Sequence, residues 1–325
     1  MRRRDFLNRS IWLTAGAFVP GVALNLAAQT PASKPVRRPE RYDDSLIFER
    51  KPFQWPGGKT LAVWIIPNVE VWSFDSPVGA AISPNTANRV PDVINYAWRE
   101  YGMRVGLWRL ADELEAVGVR ATVALNSAVC DVFPKAVEEM KRRRWEFMGH
   151  GITNSASLVN LNLDQEKEVI QTTLRTIERA TGVRPRGWLG PGLGETYNTP
   201  DILAEEGVVY VGDWNADDQP FPMKVKTGKL FSIPYCMEIN DLGLATRLGY
   251  TGEQYMTTLV NQFETLLADS SKLPRVLGIP LHPFITGQPT RIPYFRKALQ
   301  QIKKNDRVWF ATGSEILDAY QRATT

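Results

Sequence analysis

"TLAVWII" (residues 60–66) carries no charge, and Val63, Ile65 and Ile66 are β-branched. An unbroken apolar run of this length suits a strand covered on both faces, as in a parallel sheet. From there on, helical and strand patterns alternate along the chain. "RVGLWRLADELEAVG" (104–118) spaces Leu107, Leu110, Leu114 and Val117 along one helical face, and Gly118 is placed to end it. "RATVAL" (120–125) reads as the next strand, "PKAVEEMKRRR" (134–144) as a helix opened by proline, and "WEFM" (145–148) as a strand. "DQEKEVIQTTLRTIERATG" (164–182) puts Ile170, Leu174 and Ile177 on one face. "TPDILAEEG" (199–207) begins with Thr199 as a cap and Pro200 in first position, and stops at Gly207.

Further strands are expected at "RGWLG" (186–190), "VVYVGDW" (208–214), "KLFSIPY" (229–235), "RVLGIPL" (275–281) and "RVWFA" (307–311). Helices are expected around 252–268, near 293–304 and from Ser314 onward. Strands separated by helices in this way argue for an α/β domain whose parallel sheet curls into a barrel. No glycine-rich phosphate loop, dinucleotide fingerprint or repeat of 20–50 residues appears.

In such a barrel, chemistry sits where strands end. "PNVEVW" places Asn68 and Glu70 after the first strand, and "GHGITN" places His150 and Asn154 after "WEFM". "DWNADDQPF" supplies Asp213, Asp217 and Asp218, and "CMEIND" supplies Glu238, Asn240 and Asp241. "HPFITGQPTR" supplies His282 and Arg291. The chain has two histidines, and both fall at strand ends. A single histidine there is commonly a hydrogen-bonded loop residue; two beside acids and amides point to a site. The Asp-rich loop is weaker on its own, because Asn and Asp make turns for their own reasons.

Residues 1–29 stand apart. "MRRRDFLNRS" followed by the uncharged "IWLTAGAFVPGVALNLAA" has the layout of a bacterial export signal of the twin-arginine type, with cleavage near Ala28. A membrane anchor is the competing reading, set against by Pro20, the two glycines and the small residues at the end. The expected location is periplasmic or secreted, and the export machinery is an expected partner. No later run is long and apolar enough for a stable membrane span. Arg2, Arg3, Arg4 and Arg9 against Asp5 account for three of the chain's four net positive charges. The basic pI therefore does not indicate a nucleic-acid partner, and "KRRRW" (141–145) reads as a solvated helix end suited to the dipole. "TPASKPVRRPERYDDS" (30–45) reads as a linker or extended arm, and 46–325 as one catalytic domain. Cys130 and Cys236 could pair or remain free, and the oligomeric state is open.

Taken in order from about residue 60 to 318, these stretches resemble the polysaccharide deacetylase superfamily, with its nodulation-protein-B homology domain. Its first acidic motif corresponds to "NVE" (68–70), its metal motif His-x-x-x-His to "HGITN" (150–154), and its proline loop to "GWLGPG" (187–192). "ADDQPF" (216–221) and "LHPFITGQPTR" (281–291) correspond to its later motifs. The last two look most like the branch containing bacterial allantoinases, cyclic imidase-like proteins and some peptidoglycan deacetylase-like proteins. The resemblance implies a distorted (β/α) barrel of about seven parallel strands and hydrolysis of a non-peptide amide C–N bond. It also implies a divalent metal, zinc first, held by Glu70, His150 and Asn154.

Two positions depart from the family pattern. Asn68 stands where deacetylases carry an aspartate base, and an amide cannot take a proton from water. Asn154 stands at the second metal histidine, and a neutral amide oxygen is a poor zinc ligand. The expected catalytic residues are Glu70, which holds or activates water, His282, which protonates the leaving nitrogen, and Asp217, which orients His282 or binds substrate. Arg291 is expected to meet a substrate carboxylate or an acidic loop residue. Trp72 and Trp188 are candidates for the cleft wall, against the ordinary role of core packing. The substrate is expected to be a small amide; a polysaccharide N-deacetylase and a non-catalytic glycan binder are the alternatives.

Overall fold

The computed structural model describes residues 38–79, 81–87 and 89–324. The expected export signal lies outside them. The strands are β1 (Leu61–Val69), β2 (Thr122–Leu125), β3 (Glu146–Gly149), β4 (Gly187–Trp188), β5 (Tyr210–Val211), β6 (Phe221–Met223), β7 (Leu230–Ser232), β8 (Arg275–Leu281) and β9 (Val308–Phe310). They join in the order β6-β7-β5-β4-β3-β2-β1-β8, with β9 added to the first three residues of β1. From β7 to β8 every pairing is parallel, and β6 is an antiparallel edge strand. The expected parallel α/β barrel is present as a curled sheet.

That barrel is not closed by strand pairing among the described residues, since β7 and β8 share no ladder. The seam is filled by contact: a Cβ at Gly278 of β8 would lie 2.3 Å from the Pro234 carbonyl oxygen, so only glycine lets the two segments approach.

All nine residues of β1 are buried, and its side chains divide by parity. Leu61, Val63, Ile65 and Val69 pack outward with Leu107, Leu110, Leu259 and Phe295, which belong to the covering helices. Ala62, Trp64 and Ile66 pack inward with Met148, Tyr210 and Ile233. A strand alternates faces at each residue, so cover on both sides demands the unbroken apolar run seen in the sequence. The helix Leu163–Thr181 starts in a capping box between Asn162 and Gln165 and stops at Gly182, where φ is 80°.

Residues 40–45 lie along the domain. Arg41 grips Asp201 with two 3.0 Å hydrogen bonds, and Tyr42 packs edge-on against Trp214 and Phe221. Cys130 and Cys236 are separate free thiols. No helix among the described residues is long and apolar enough to cross a membrane.

Candidate active site

The C-terminal ends of β1, β3, β4 and β8 surround a cleft of about 180 Å³. Its lining includes Asn68, Glu70, His150, Asn154, Tyr235 and His282. Glu70 follows β1, His150 follows β3 and His282 follows β8, so the strand-end reading brings these three together.

Glu70 is the centre. His150 Nε2 lies 3.2 Å from its Oε1, His282 Nε2 lies 3.9 Å from the same oxygen, and the Asn154 amide donates to it. Its Oε2 is buried without a hydrogen-bond partner. Burial pushes the carboxyl up, but His282, then the hydrogen bond and charge of His150, outweigh it and hold Glu70 below the usual carboxylate range. The base of the cleft is therefore an ionised carboxylate with one oxygen unengaged.

Each histidine is aimed by its other nitrogen. His150 Nδ1 lies 2.7 Å from the Leu189 carbonyl oxygen, which only accepts, so Nδ1 carries a hydrogen. His282 Nδ1 lies 2.7 Å from Asp241 Oδ1, and the His282 backbone N–H also donates to Asp241 at 2.9 Å and 3.0 Å. Thr286 donates to the other Asp241 oxygen at 2.6 Å. Burial works against the imidazolium of His282, but Asp241 and then Glu70 outweigh it and raise its pKa above the ordinary value. A histidine held this way favours its protonated form, with Nε2 turned toward Glu70.

The expected partner of His282, Asp217, stands elsewhere. It pairs with Arg50 at 2.7 Å. Its neighbours Asp218 and Gln219 bond Val276 and Pro274 at the start of β8. Six residue steps along β8, about 20 Å, separate Val276 from His282. Asp241 holds the place assigned to Asp217. Arg291 donates to the Tyr250 carbonyl at 2.8 Å beside a separate small cavity and does not line the cleft. Trp188 is wholly buried against Gly149, where a Cβ would lie 2.6 Å from its ring, so it is a core residue. Trp72 packs edge-on against Phe284, whose ring also meets His282, and lies beneath the Arg99 guanidinium. It supports the wall from behind and is absent from the cleft lining.

Asn126, Tyr235 and Asp241 had no assigned role in the sequence, yet they fix the site. The Val71 N–H donates to Asn126 Oδ1 at 3.0 Å, which turns the Asn126 NH₂ toward Asn154 Oδ1, 3.1 Å away. Asn154 must accept there, so its own NH₂ faces Glu70. The orientation of the Asn154 amide is thus dictated by a backbone N–H two hydrogen bonds away. The family's divalent metal takes a second histidine at this position; here an amide presents donors. Glu70 and His150 remain as ligand types, and among the described residues no group of three or more His, Cys, Asp or Glu could hold a metal ion. A catalytic zinc takes three protein ligands. The donor set expected from Glu70, His150 and Asn154 therefore does not fit one.

Behind the cleft wall formed by Leu189, Gly190, Gly192 and Leu193 lies a second pair of acids. Gly190 N–H donates to both Asp213 oxygens, at 2.8 Å and 3.1 Å, and Trp214 Nε1 donates to Glu195 at 3.0 Å. Burial pushes Glu195 up to about 7, and burial with the Glu195 charge pushes Asp213 well above its ordinary range. Arg41 and Glu166 also act on Glu195. A raised folded pKa stabilises the fold fully below the unfolded value, and that contribution is lost as pH rises through about 7. We expect the melting temperature to fall between about pH 4.5 and 7 for this reason. In Glu195→Gln that part of the profile should flatten; an unaltered slope would assign it to other groups.

A curled parallel sheet with its polar groups gathered at the strand ends defines a domain of the α/β barrel type. Residues 100–211 match the family model described as polysaccharide deacetylase. A crystal structure described as a probable polysaccharide deacetylase from Pseudomonas aeruginosa PAO1 is similar at 26% identity and TM-score 0.77, covering 86% of this chain and 98% of that one. The crystal structure of Puue allantoinase shares the fold at 24% identity and TM-score 0.80, covering 89% and 99%. A Schizosaccharomyces pombe protein named by inference as a polysaccharide deacetylase is 23% identical over 296 residues, 82% of this chain and 92% of its own length.

Proposed function

We propose that this protein hydrolyses an amide C–N bond in a small, non-peptide substrate, linear or cyclic, with Glu70 as base and His282 as acid. The observation that carries the reading is the convergence of both histidine Nε2 atoms on one buried, ionised Glu70 at the floor of a 180 Å³ cleft. Sites for drug-sized molecules run to about 300–1,000 Å³, so this one suits a short ligand.

Glu70 accepts a proton from water as the water oxygen bonds to the amide carbon. The Tyr235 hydroxyl receives N–H bonds from Asn68 at 3.0 Å and Asn240 at 3.3 Å. Its own hydrogen is given to Asn68 Oδ1 at 3.2 Å, so Tyr235 would support the developing oxyanion only by turning that hydrogen away from Asn68, and burial keeps Tyr235 protonated. His282 Nε2 then gives its proton to the nitrogen as the C–N bond breaks. Asp241 holds the ring and supports its charge. The proton on Glu70 returns to His282 across the 3.9 Å between them. Asn68, in the position of the family's base, serves here to fix Tyr235.

A polysaccharide or peptidoglycan N-deacetylase is the second reading, favoured by the family match. The twin-arginine-type leader favours action outside the cytoplasm for either. Zinc at Glu70, His150 and Asn154 would require Asn154 to turn over and break its bond from Asn126.

The test is a hydrolysis screen of purified protein against small cyclic and linear amides and N-acetylated oligosaccharides, with metal content by elemental analysis. Turnover of small amides at well below one metal per chain supports the proposal. Turnover of oligosaccharides alone, or strict dependence on about one metal per chain, overturns it.

A further inference from the structure

The cleft has a charge polarity that amide hydrolysis alone does not use. Glu70 is the one carboxylate in its lining and lies at its floor, and Arg247 is the one Lys or Arg in that lining. Arg247 follows the helix Asp241–Thr246 and is exposed. Its guanidinium meets no carboxylate, carbonyl or aromatic ring among the described residues. The arginines nearer the site are engaged: Arg291 with the Tyr250 carbonyl, and Arg99 with the Asn95 and Gly79 carbonyls.

Resting on the hydrolase reading, we infer that the substrate is a small amide bearing a carboxylate, and that Arg247 binds that carboxylate. The geometry allows one orientation. A carboxylate cannot sit beside ionised Glu70 without like-charge repulsion, so it lies toward Arg247 and the amide lies over Glu70. A planar guanidinium matches a carboxylate with two parallel hydrogen bonds. Leu189, Leu193, Met237 and Leu242 give the cleft an apolar lining for the short body between the two ends. A basic residue also suits a helix C-terminus, but the helix is six residues long and that role would not require Arg247 to face the cleft. The carboxylate contact expected of Arg291 thus passes to Arg247.

Calorimetric binding of N-acetylglycine and its neutral partner N-acetylglycinamide tests this. The full chain carrying Glu70→Gln is used so that turnover does not interfere, and the unsubstituted protein serves as control. The acid should bind about tenfold more tightly than the neutral amide, the order expected of a charge-assisted hydrogen bond at a partly exposed site. Adding Arg247→Gln should erase the preference, and Arg247→Lys should restore part of it. Equal binding of both probes, binding of neither, or a preference that survives Arg247→Gln overturns the inference. Hydrolysis is scored separately: cleavage of neutral amides without acid preference removes the role of Arg247 and leaves the hydrolase, whereas Arg247-dependent binding without cleavage in the control removes the hydrolase.

Discussion

Glu70→Gln is expected to lower amide hydrolysis by roughly a hundredfold to ten-thousandfold, the range that general base catalysis supplies. Glutamine preserves the volume and can still accept from Asn154, but its amide cannot take a proton from water. The fold should not suffer. Glu70 is a buried carboxylate with Oε2 lacking a partner, and such a group costs stability where it stands. Against that cost, the neighbouring histidines hold the Glu70 pKa down and so favour its ionised form, and the two effects should leave the melting temperature nearly unchanged. Steady-state kinetics with thermal unfolding checks both halves. A Glu70→Gln protein that retains most of its turnover would remove Glu70 as base, and a large fall in melting temperature would make it a structural residue.

Asp241→Asn is the second change with a large effect. Asp241 raises the His282 pKa, orients its ring through Nδ1, and accepts its backbone N–H. His282 must be protonated to serve the leaving nitrogen, so activity should fall as pH rises through its raised pKa. Removing the Asp241 charge lowers that pKa, so the alkaline limb of the rate profile should move to lower pH, with turnover down by about a hundredfold or more at neutral pH. The acid limb belongs to Glu70, whose pKa is held down, and should stay in place. A pH profile of kcat/KM separates the two limbs. An alkaline limb that does not move would show that Asp241 supports the backbone of His282 without tuning its ring.

Much of the fold could be read directly. β1 announced itself because both of its faces are covered, which forces an unbroken apolar run. The helix Leu163–Thr181 has periodicity, a cap and a terminal glycine that agree with one another. β6 was not legible: Pro222 argues against a strand, and only its position at an antiparallel edge makes that residue tolerable. β4 and β5 are two residues each and lie inside the longer strands expected at 186–190 and 208–214.

The site was legible in its histidines and Glu70, because strand ends are local features. Which aspartate reaches His282 was not. Asp217 and Asp241 both follow strands, but the chain after β5 runs back to the start of β8 before it pairs. Nothing in the residues themselves records that descent. Trp188 was ambiguous for a similar reason: its burial depends on Gly149 of the neighbouring strand.

The ladder between β1 and β8 pairs Leu61 through Pro67 with Arg275 through Leu281. Base and acid leave the sheet just beyond its last rung, on adjacent strands. Their spacing is thus a property of strand register, and a slip of one residue would turn both side chains to the opposite faces. Arg247 and the 189–193 wall hang from separate loops. The chemistry and the choice of substrate are therefore inherited through different parts of the chain, so one can drift while the other is kept.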